Sequence, residues 1–255
     1  MAIRAAYKEK GIKVYEARWE DVLPGLRGGT VDLVIADPPY KISKRRSRFV
    51  QCGYERDHDF GEWDHEPFDL SGLFVQIKRL LKPGGLWWCF YDIWRLDIVR
   101  QAARDAGLHP WVPFFWHKTN PSPAFGFRHP LNAAEGGVFG AWDGNDKAYR
   151  FAPGGYIHNV LVGAACSEKK LNGRARKPVW LVRKMIETSS GENDKVLDPC
   201  FGTGPVLKAA RDLGRRVVGV ERDPGKVQVA IRRLEEGNED EDEQDTQDEQ
   251  GALEI

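Results

Sequence analysis

The sequence predicts an α/β chain built on a doubly wound sheet, and two observations carry that expectation. Two apolar runs, Val31-Asp32-Leu33-Val34-Ile35-Ala36 and Val196-Leu197, read as buried strands that each stop at a carboxylate, Asp37 and Asp198. The second run enters a glycine loop, then a helical stretch and a further strand, so Asp198 to Glu221 reads as a βαβ unit. In open α/β sheets ligands bind beyond the carboxyl ends of the strands, where both acids fall.

Asp37 is followed by Pro38, Pro39 and Tyr40. Two prolines end the strand abruptly and hold a carboxylate and a phenol on backbone that cannot relax. These four residues alone also suit a turn with a capping Asp and a packing Tyr. Asp198-Pro199-Cys200-Phe201-Gly202-Thr203-Gly204 supplies the second half of the pattern. Its glycines let backbone approach a ligand, with a helix N-terminus behind them. Glu221 ends the next strand, at the place where an acid can accept hydrogen bonds from ribose hydroxyls. A nucleotide dehydrogenase would share this layout. The loop lacks the third glycine of that fingerprint, and Asp198 would repel a pyrophosphate while suiting a cation.

The other elements follow from spacing and breakers. Ile12 to Tyr15 is a short strand, and Glu20 to Leu26 makes a helical turn or two broken by Pro24. Asp69 to Leu81 carries apolar residues at helical spacing and is stopped by Lys82-Pro83-Gly84-Gly85, after which Leu86 to Tyr91 is a buried strand. Trp94 to Ala106 is a helix closed by Gly107, and Trp111 to Trp116 is another strand. From there to about Tyr156 the pattern shows no period, as in a functional insertion. Pro178 opens a helix from Val179 to about Thr188. Lys195 to Leu197, a helix from Pro205 to near Gly214, the strand Arg216 to Val220 and a helix from Pro224 to Leu234 complete the body.

The 255 residues suffice for one sizeable domain. Formal charge is zero only by cancellation. From Glu235 onward there are 11 acidic residues and no Lys or Arg, which leaves the rest with 38 basic and 27 acidic residues, a net charge of +11. A basic body implies a polyanionic partner. The segment 235–255 reads as an acidic disordered tail, either inert or able to visit basic residues of the body. Cys52, Cys89, Cys166 and Cys200 form no disulfide framework, which suits reduced thiols in the cytoplasm. Cys52, His58 and His65 fit no zinc spacing, so no metal is expected. No run is long and apolar enough to span a bilayer.

The pair of motifs resembles the catalytic D-P-P-Y and the cofactor loop of S-adenosylmethionine-dependent DNA amino-methyltransferases. Their order resembles the permuted group of that family often called beta. Further likenesses are L-L-K-P-G-G before a strand, Trp116-His117-Lys118-Thr119-Asn120-Pro121-Ser122-Pro123 followed by Glu135, and Lys177-Pro178 before the cofactor strand. The resemblance implies a Rossmann-like methyltransferase sheet over residues 1–234, with a target-recognition insertion at about 118–160. It implies S-adenosylmethionine as cofactor, held by Asp198, Pro199, Phe201, Gly202, Thr203, Gly204, Glu221 and Lys177. Asp37, Pro38, Pro39 and Tyr40 become the catalytic set, with Tyr40 acting through its ring as a stacking face. DNA becomes the partner, contacted by Lys41, Lys44, Arg45, Arg46, Arg48, Lys118 and Arg128. His129, Trp142 and Lys147 are further contacts, and homodimer assembly is carried as an expectation. The family's acidic residue after the first strand aligns with Arg18, with Glu20 or Asp21 as substitutes, so that role stays unassigned. D-P-P-Y leans to adenine N6 as target and S-P-P-Y to cytosine N4. An RNA or protein N-methyltransferase and a catalytically silent DNA-binding subunit are the remaining alternatives.

Overall fold

The computed structural model describes residues 3–40, 49–51, 54–56, 68–121, 131–144, 158–166 and 176–235. Its sheet is built around strands whose residues are buried on both faces. In β3 (Val31–Ala36) and β6 (Leu81–Tyr91) the apolar run is nearly continuous, the mark of a parallel strand covered on both sides. Along β6, Leu86, Trp88 and Phe90 enter one core layer while Trp87, Cys89 and Tyr91 enter the other.

Helices fill both layers. On one face lie α1 (Trp19–Val22), α2 (Leu70–Leu80) and α3 (Leu96–Asp105), with Trp19, Phe74 and Val99 among their buried residues. On the other lie α4 (Val179–Ser189), α5 (Pro205–Asp212) and α6 (Pro224–Glu235), burying Met185, Leu207 and Val227. The doubly wound arrangement expected from the sequence is therefore present.

The remaining strands are β1 (Tyr7–Glu9), β2 (Ile12–Glu16), β7 (His109–Lys118), β8 (Ala134–Ala141), β9 (Val160–Gly163), β10 (Lys195–Asp198) and β11 (Arg216–Glu221). Among the described residues they form one nine-stranded sheet in the order β1-β2-β11-β10-β3-β6-β8-β7-β9. Phe49–Gln51 (β4) and Tyr54–Arg56 (β5) pair separately as an antiparallel ribbon. The chain leaves β2 and enters β3 three positions away, and the C-terminal strands β11 and β10 fill the two-strand gap. The strands ending at Asp37 and Asp198 are adjacent and parallel, with Val196 opposite Leu33 and Leu197 opposite Val34.

Several boundaries differ from the sequence reading. Lys82-Pro83-Gly84-Gly85 belongs to β6 and not to a loop, with the register against β3 shifted between Val31 and Leu33 and Lys82 bonded to Asp32 at 2.5 Å. Ile93–Arg95 is a 3-10 turn, so the helix after it starts at Leu96. α6 runs to Glu235, one residue into the expected tail. The larger departure is β8, in the middle of the stretch that shows no period. It lies antiparallel between β6 and β7. Its glycines hide it from propensity, yet they answer its surroundings: a Cβ on Gly137 would lie 2.1 Å from the Cys89 carbonyl oxygen and 2.6 Å from the Phe114 ring. The neighbouring aromatics occupy the space that β8 side chains would need.

Gly137→Ala is therefore expected to destabilise the fold by overpacking, on the order of 1–3 kcal/mol. Urea unfolding would read this as a lower midpoint at unchanged slope.

Candidate active site

Asp37 sits at the carboxyl end of β3, and three other segments converge on it. The Tyr40 hydroxyl donates to Asp37 Oδ1. Lys177 Nζ donates to Asp37 Oδ2 at 2.8 Å and reaches the Tyr40 hydroxyl at 3.3 Å. The same ammonium bonds Glu135 Oε2 at 3.1 Å, and Lys118 bonds Glu135 Oε1 at 2.5 Å. Lys177 immediately precedes the Pro178 cap of α4, Glu135 is the second residue of β8, and Lys118 is the last of β7. The Arg95 guanidinium donates to the Tyr40 carbonyl at 3.1 Å, pinning the turn from the β6 side. The Tyr40 and Tyr91 rings lie 5.4 Å apart, tilted by 54°.

The charges in this cluster settle one another. The Lys177 side chain is 7 % exposed against 33 % for Asp37. Burial by itself lowers the Lys177 pKa, but Asp37 and Glu135 overcome it and raise the ammonium above its ordinary value. Burial raises the Glu135 pKa, and Lys177 and Lys118 outweigh that, holding it down to about 2. The Tyr40 phenol is raised well above its ordinary value by burial, then by the charges of Asp37 and Glu135, so it stays a donor. Burial also raises the Cys89 and Cys200 thiols, which keeps both protonated at neutral pH.

Next to this cluster, β10 ends at Asp198, 3 % exposed, which accepts one backbone N–H, from Cys200, at 3.0 Å. Burial raises its pKa well above the ordinary value, and Asp37 and Glu221 add to the rise. Among the described residues no cation pairs with Asp198. Gly204 takes φ +82°, a left-handed conformation favouring glycine, and a Cβ there would lie 2.7 Å from that of Ala230. At Gly202 a Cβ would meet nothing within 4 Å, so the loop has an open side. Glu221 accepts from the backbone N–H groups of Gly202 at 2.9 Å, Arg222 at 2.9 Å and Asp223 at 3.0 Å. A carboxylate has about four acceptor positions, so Glu221 both braces the loop and keeps capacity for a ligand.

Comparison with known proteins places this arrangement. A family model described as DNA methylase, the N6/N4 methyltransferase model, matches residues 31–139 and 141–232. The chain belongs to the N6/N4 DNA methylase family. Among its relatives is the Type II methyltransferase M2.LlaDCHI of Lactococcus lactis subsp. cremoris, 27 % identical over 249 residues that cover 90 % of this chain and 91 % of the relative. The crystal structure of the M1.HpyAVI-SAM complex superposes with TM-score 0.69 at 21 % identity, covering 88 % of this chain and 100 % of the other. PvuII DNA methyltransferase, described as cytosine-N4-specific, gives TM-score 0.68 at 16 % identity over 94 % of this chain and 92 % of that one.

With the methylase's geometry in view, the expected site residues divide. Asp37, Pro38, Pro39 and Tyr40 stand together at one strand end, and Asp198, Pro199, Phe201, Gly202, Thr203, Gly204 and Glu221 surround the adjacent one. Lys177, expected at the cofactor, is bonded instead to Asp37 and Glu135. Lys118, expected on DNA, has its ammonium on Glu135. The Tyr40 hydroxyl, given no task in the sequence reading, bonds Asp37. Trp142 is half-buried: its indole N–H donates to the Lys78 carbonyl at 3.2 Å and the Lys78 ammonium lies 3.5 Å over its ring. Arg18 pairs with Glu20 at 3.0 Å, while Asp21 is exposed in the first turn of α1. Sequence reasoning quoted Glu135 only as part of a pattern and did not see Arg95; Asp92-Ile93-Trp94-Arg95 directly after a buried strand was the available signal. Lys41, Lys44, Arg45, Arg46, Arg48, Cys52, His58, His65, Arg128, His129 and Lys147 lie outside the described residues, as does 236–255. Among the described residues no cluster of His, Cys, Asp and Glu is placed to hold a metal ion, and no helix is long and apolar enough to cross a membrane.

Because the Glu135 pKa is depressed, its contribution to stability is present above the ordinary value of 4.5 and is lost as pH falls toward about 2. The stability difference between the parent chain and Glu135→Gln is expected to shrink across that window when unfolding is followed from neutral to acid pH.

Proposed function

We propose that this methylase transfers a methyl group from S-adenosylmethionine to the exocyclic N6 amine of a DNA adenine flipped out of the duplex. The observation that carries the reading is the Asp37 carboxylate, bonded by Tyr40 and Lys177 and opening beside Asp198. Those two bonds take two of about four acceptor positions, leaving capacity for an incoming amine.

S-adenosylmethionine supplies an electrophilic methyl on a sulfonium. The residues present suit it: Asp198 is a buried carboxylate paired with no cation among the described residues, and the amino group of the cofactor would provide one, while Glu221 retains an acceptor position toward ribose hydroxyls. An exocyclic amine is a poor nucleophile because its lone pair is delocalised into the ring. Asp37 and the Pro38 carbonyl accept its two N–H bonds and hold the nitrogen nearer tetrahedral. As the new bond forms the nitrogen turns positive, and a fixed carboxylate stabilises that charge. Asp37 is a third exposed, so the proton released afterwards has a route to water. Pro39 keeps the turn rigid, and the Tyr40 ring offers a face for the flipped base. Lys177 and Glu135 position Asp37 from behind. Cys89 and Cys200 stay protonated, which favours direct transfer over a covalent intermediate on either thiol.

The target base follows from D-P-P-Y, which leans to adenine. Cytosine N4 is the second reading, favoured by the likeness to the cytosine-N4-specific PvuII structure. Incubating the protein with mixed-sequence duplex and S-adenosylmethionine, then digesting to nucleosides for mass spectrometry, decides between them. N6-methyladenine is expected; N4-methylcytosine would replace the adenine reading.

Asp37→Ala is expected to lower methyl transfer at least about a hundredfold, as on losing a preorganised charge-stabilising group. Calorimetry should find cofactor binding nearly intact. Tyr40→Phe keeps the ring and loses the bond to Asp37; a hydrogen bond to a charged group is typically ~1.5–3 kcal/mol, so kcat should fall about tenfold or more. Tyr40→Ala should fall further, since base stacking contributes a further ~1–3 kcal/mol.

Cofactor affinity should weaken on acidification through the raised Asp198 pKa, because the protonated acid cannot pair with a cation. Binding then takes place with proton release, and Asp198→Asn should bind weakly with no such pH dependence. Titration calorimetry in buffers of different ionisation enthalpy reads both effects.

A further inference from the structure

Opposite the catalytic end of the sheet lies a second cavity of about 820 Å³, at the amino ends of β2, β11, β10 and β3. Its lining carries six cations, Lys8, Lys10, Lys13, Arg27, Lys195 and Arg216, and one acid, Glu9. Arg216 is anchored to the Asn193 carbonyl at 2.9 Å. None of the other five makes a side-chain hydrogen bond or ion pair with another described residue. The half-buried Asp32, beside Val31 of the lining, is already bonded to Lys82 and to the Lys195 backbone N–H. Among the described residues six cations here face one lining acid, and the Lys195 pKa is lowered by burial, then by Arg216 and Lys13, with Asp32 opposing. A cavity with this lining suits an anion.

The chain carries a matching anion. Glu239-Asp240-Glu241-Asp242-Glu243 is an unbroken run of five acids within a segment that has no Lys or Arg. That segment departs from α6 beside the same edge of the sheet. Arg211 donates to the Leu234 carbonyl, and the pKa of Tyr7 in β1 is raised by burial, by Glu9 and then by Glu235. Tyr7 and Lys8 are neighbours on β1 and point to opposite faces of the strand. From Glu235 to Glu239–Glu243 is four to eight residues, a reach of roughly 13–28 Å at ~3.3–3.6 Å per residue. That exceeds the width of an edge strand, with strands spaced about 4.8 Å apart. Tethering also raises the effective concentration of these acids at the cavity above that of any free anion.

We propose that the acidic segment 236–255 docks by Glu239–Glu243 into this basic cavity, on its own chain. Docking there places the segment away from Asp37 and leaves the carboxyl ends of the strands to DNA.

Zero-length carbodiimide cross-linking of the full chain, followed by peptide mass spectrometry, tests this because the reagent joins only a carboxylate and an amine already in contact. Links from Glu239–Glu243 to Lys8, Lys10, Lys13 or Lys195 are expected in dilute, low-salt protein, with the product running as a monomer. They should disappear at about 1 M salt, where the screening length falls to roughly 3 Å. Neutralising all five acids to Gln and Asn should abolish them. Absence of such links, or links from this run to other lysines only, would overturn the proposal. So would products that form as dimers in proportion to concentration, which assign the cavity to the segment of a second copy. In the chain with the five acids neutralised, Lys13→Glu with Arg216→Glu should leave short-duplex affinity unchanged. A loss of affinity there would assign the cavity to nucleic-acid phosphate and overturn the proposal as well. Neither readout depends on methyl transfer, so a failure here is separate from a failure of the catalytic assignment.

Discussion

The buried ammonium of Lys177 is the constraint on which the rest of the site depends. Taking an ammonium out of water costs several kcal/mol after relaxation, so it persists only where its partners are complete. Here they are Asp37 and the Tyr40 hydroxyl from the turn after β3 and Glu135 from β8, two distant parts of the chain. The network is balanced: Lys177 and Lys118 against Asp37 and Glu135. Each member is placed by a regular element, with β7, β8 and the start of α4 supporting the turn after β3. A carboxylate held this way cannot swing out of register, and preorganisation of that kind is what stabilising a developing charge requires.

Chain order makes the network possible. β3 is laid down early, and its neighbour β10 arrives more than 150 residues later to fill a gap held open between β2 and β3. The insertion brings two acids, Asp37 and Asp198, to adjacent strand ends, close enough for each charge to act on the other. One is satisfied by Lys177. The other has no cation of its own among the described residues. That asymmetry separates the half that holds an amine from the half that holds a charged cofactor.

Charge is also divided along the strands. Acceptors and the balanced ion network lie at the carboxyl ends, while lysines and arginines gather at the amino ends. A net charge of +11 on the body thus conceals two different surfaces. Composition suggests a polyanionic partner without distinguishing them, because net charge carries no position.

The sequence by itself determined the doubly wound class, the strands that stop at Asp37 and Asp198, and the glycine loop, because each rests on local chemistry. Prolines end strands, alternation and apolar runs mark buried faces, and glycine permits positive φ. Only the tertiary structure decided what Lys177 and Lys118 touch, since those contacts join residues on separate elements. It also decided that Ala134–Ala141 is a central strand. The glycines of β8 give no local signal for a strand; they are set by the Trp87, Cys89 and Phe114 groups packed against them, which belong to neighbouring strands. Where a residue answers its own backbone the sequence is legible; where it answers a neighbour across the sheet, the fold must be known first.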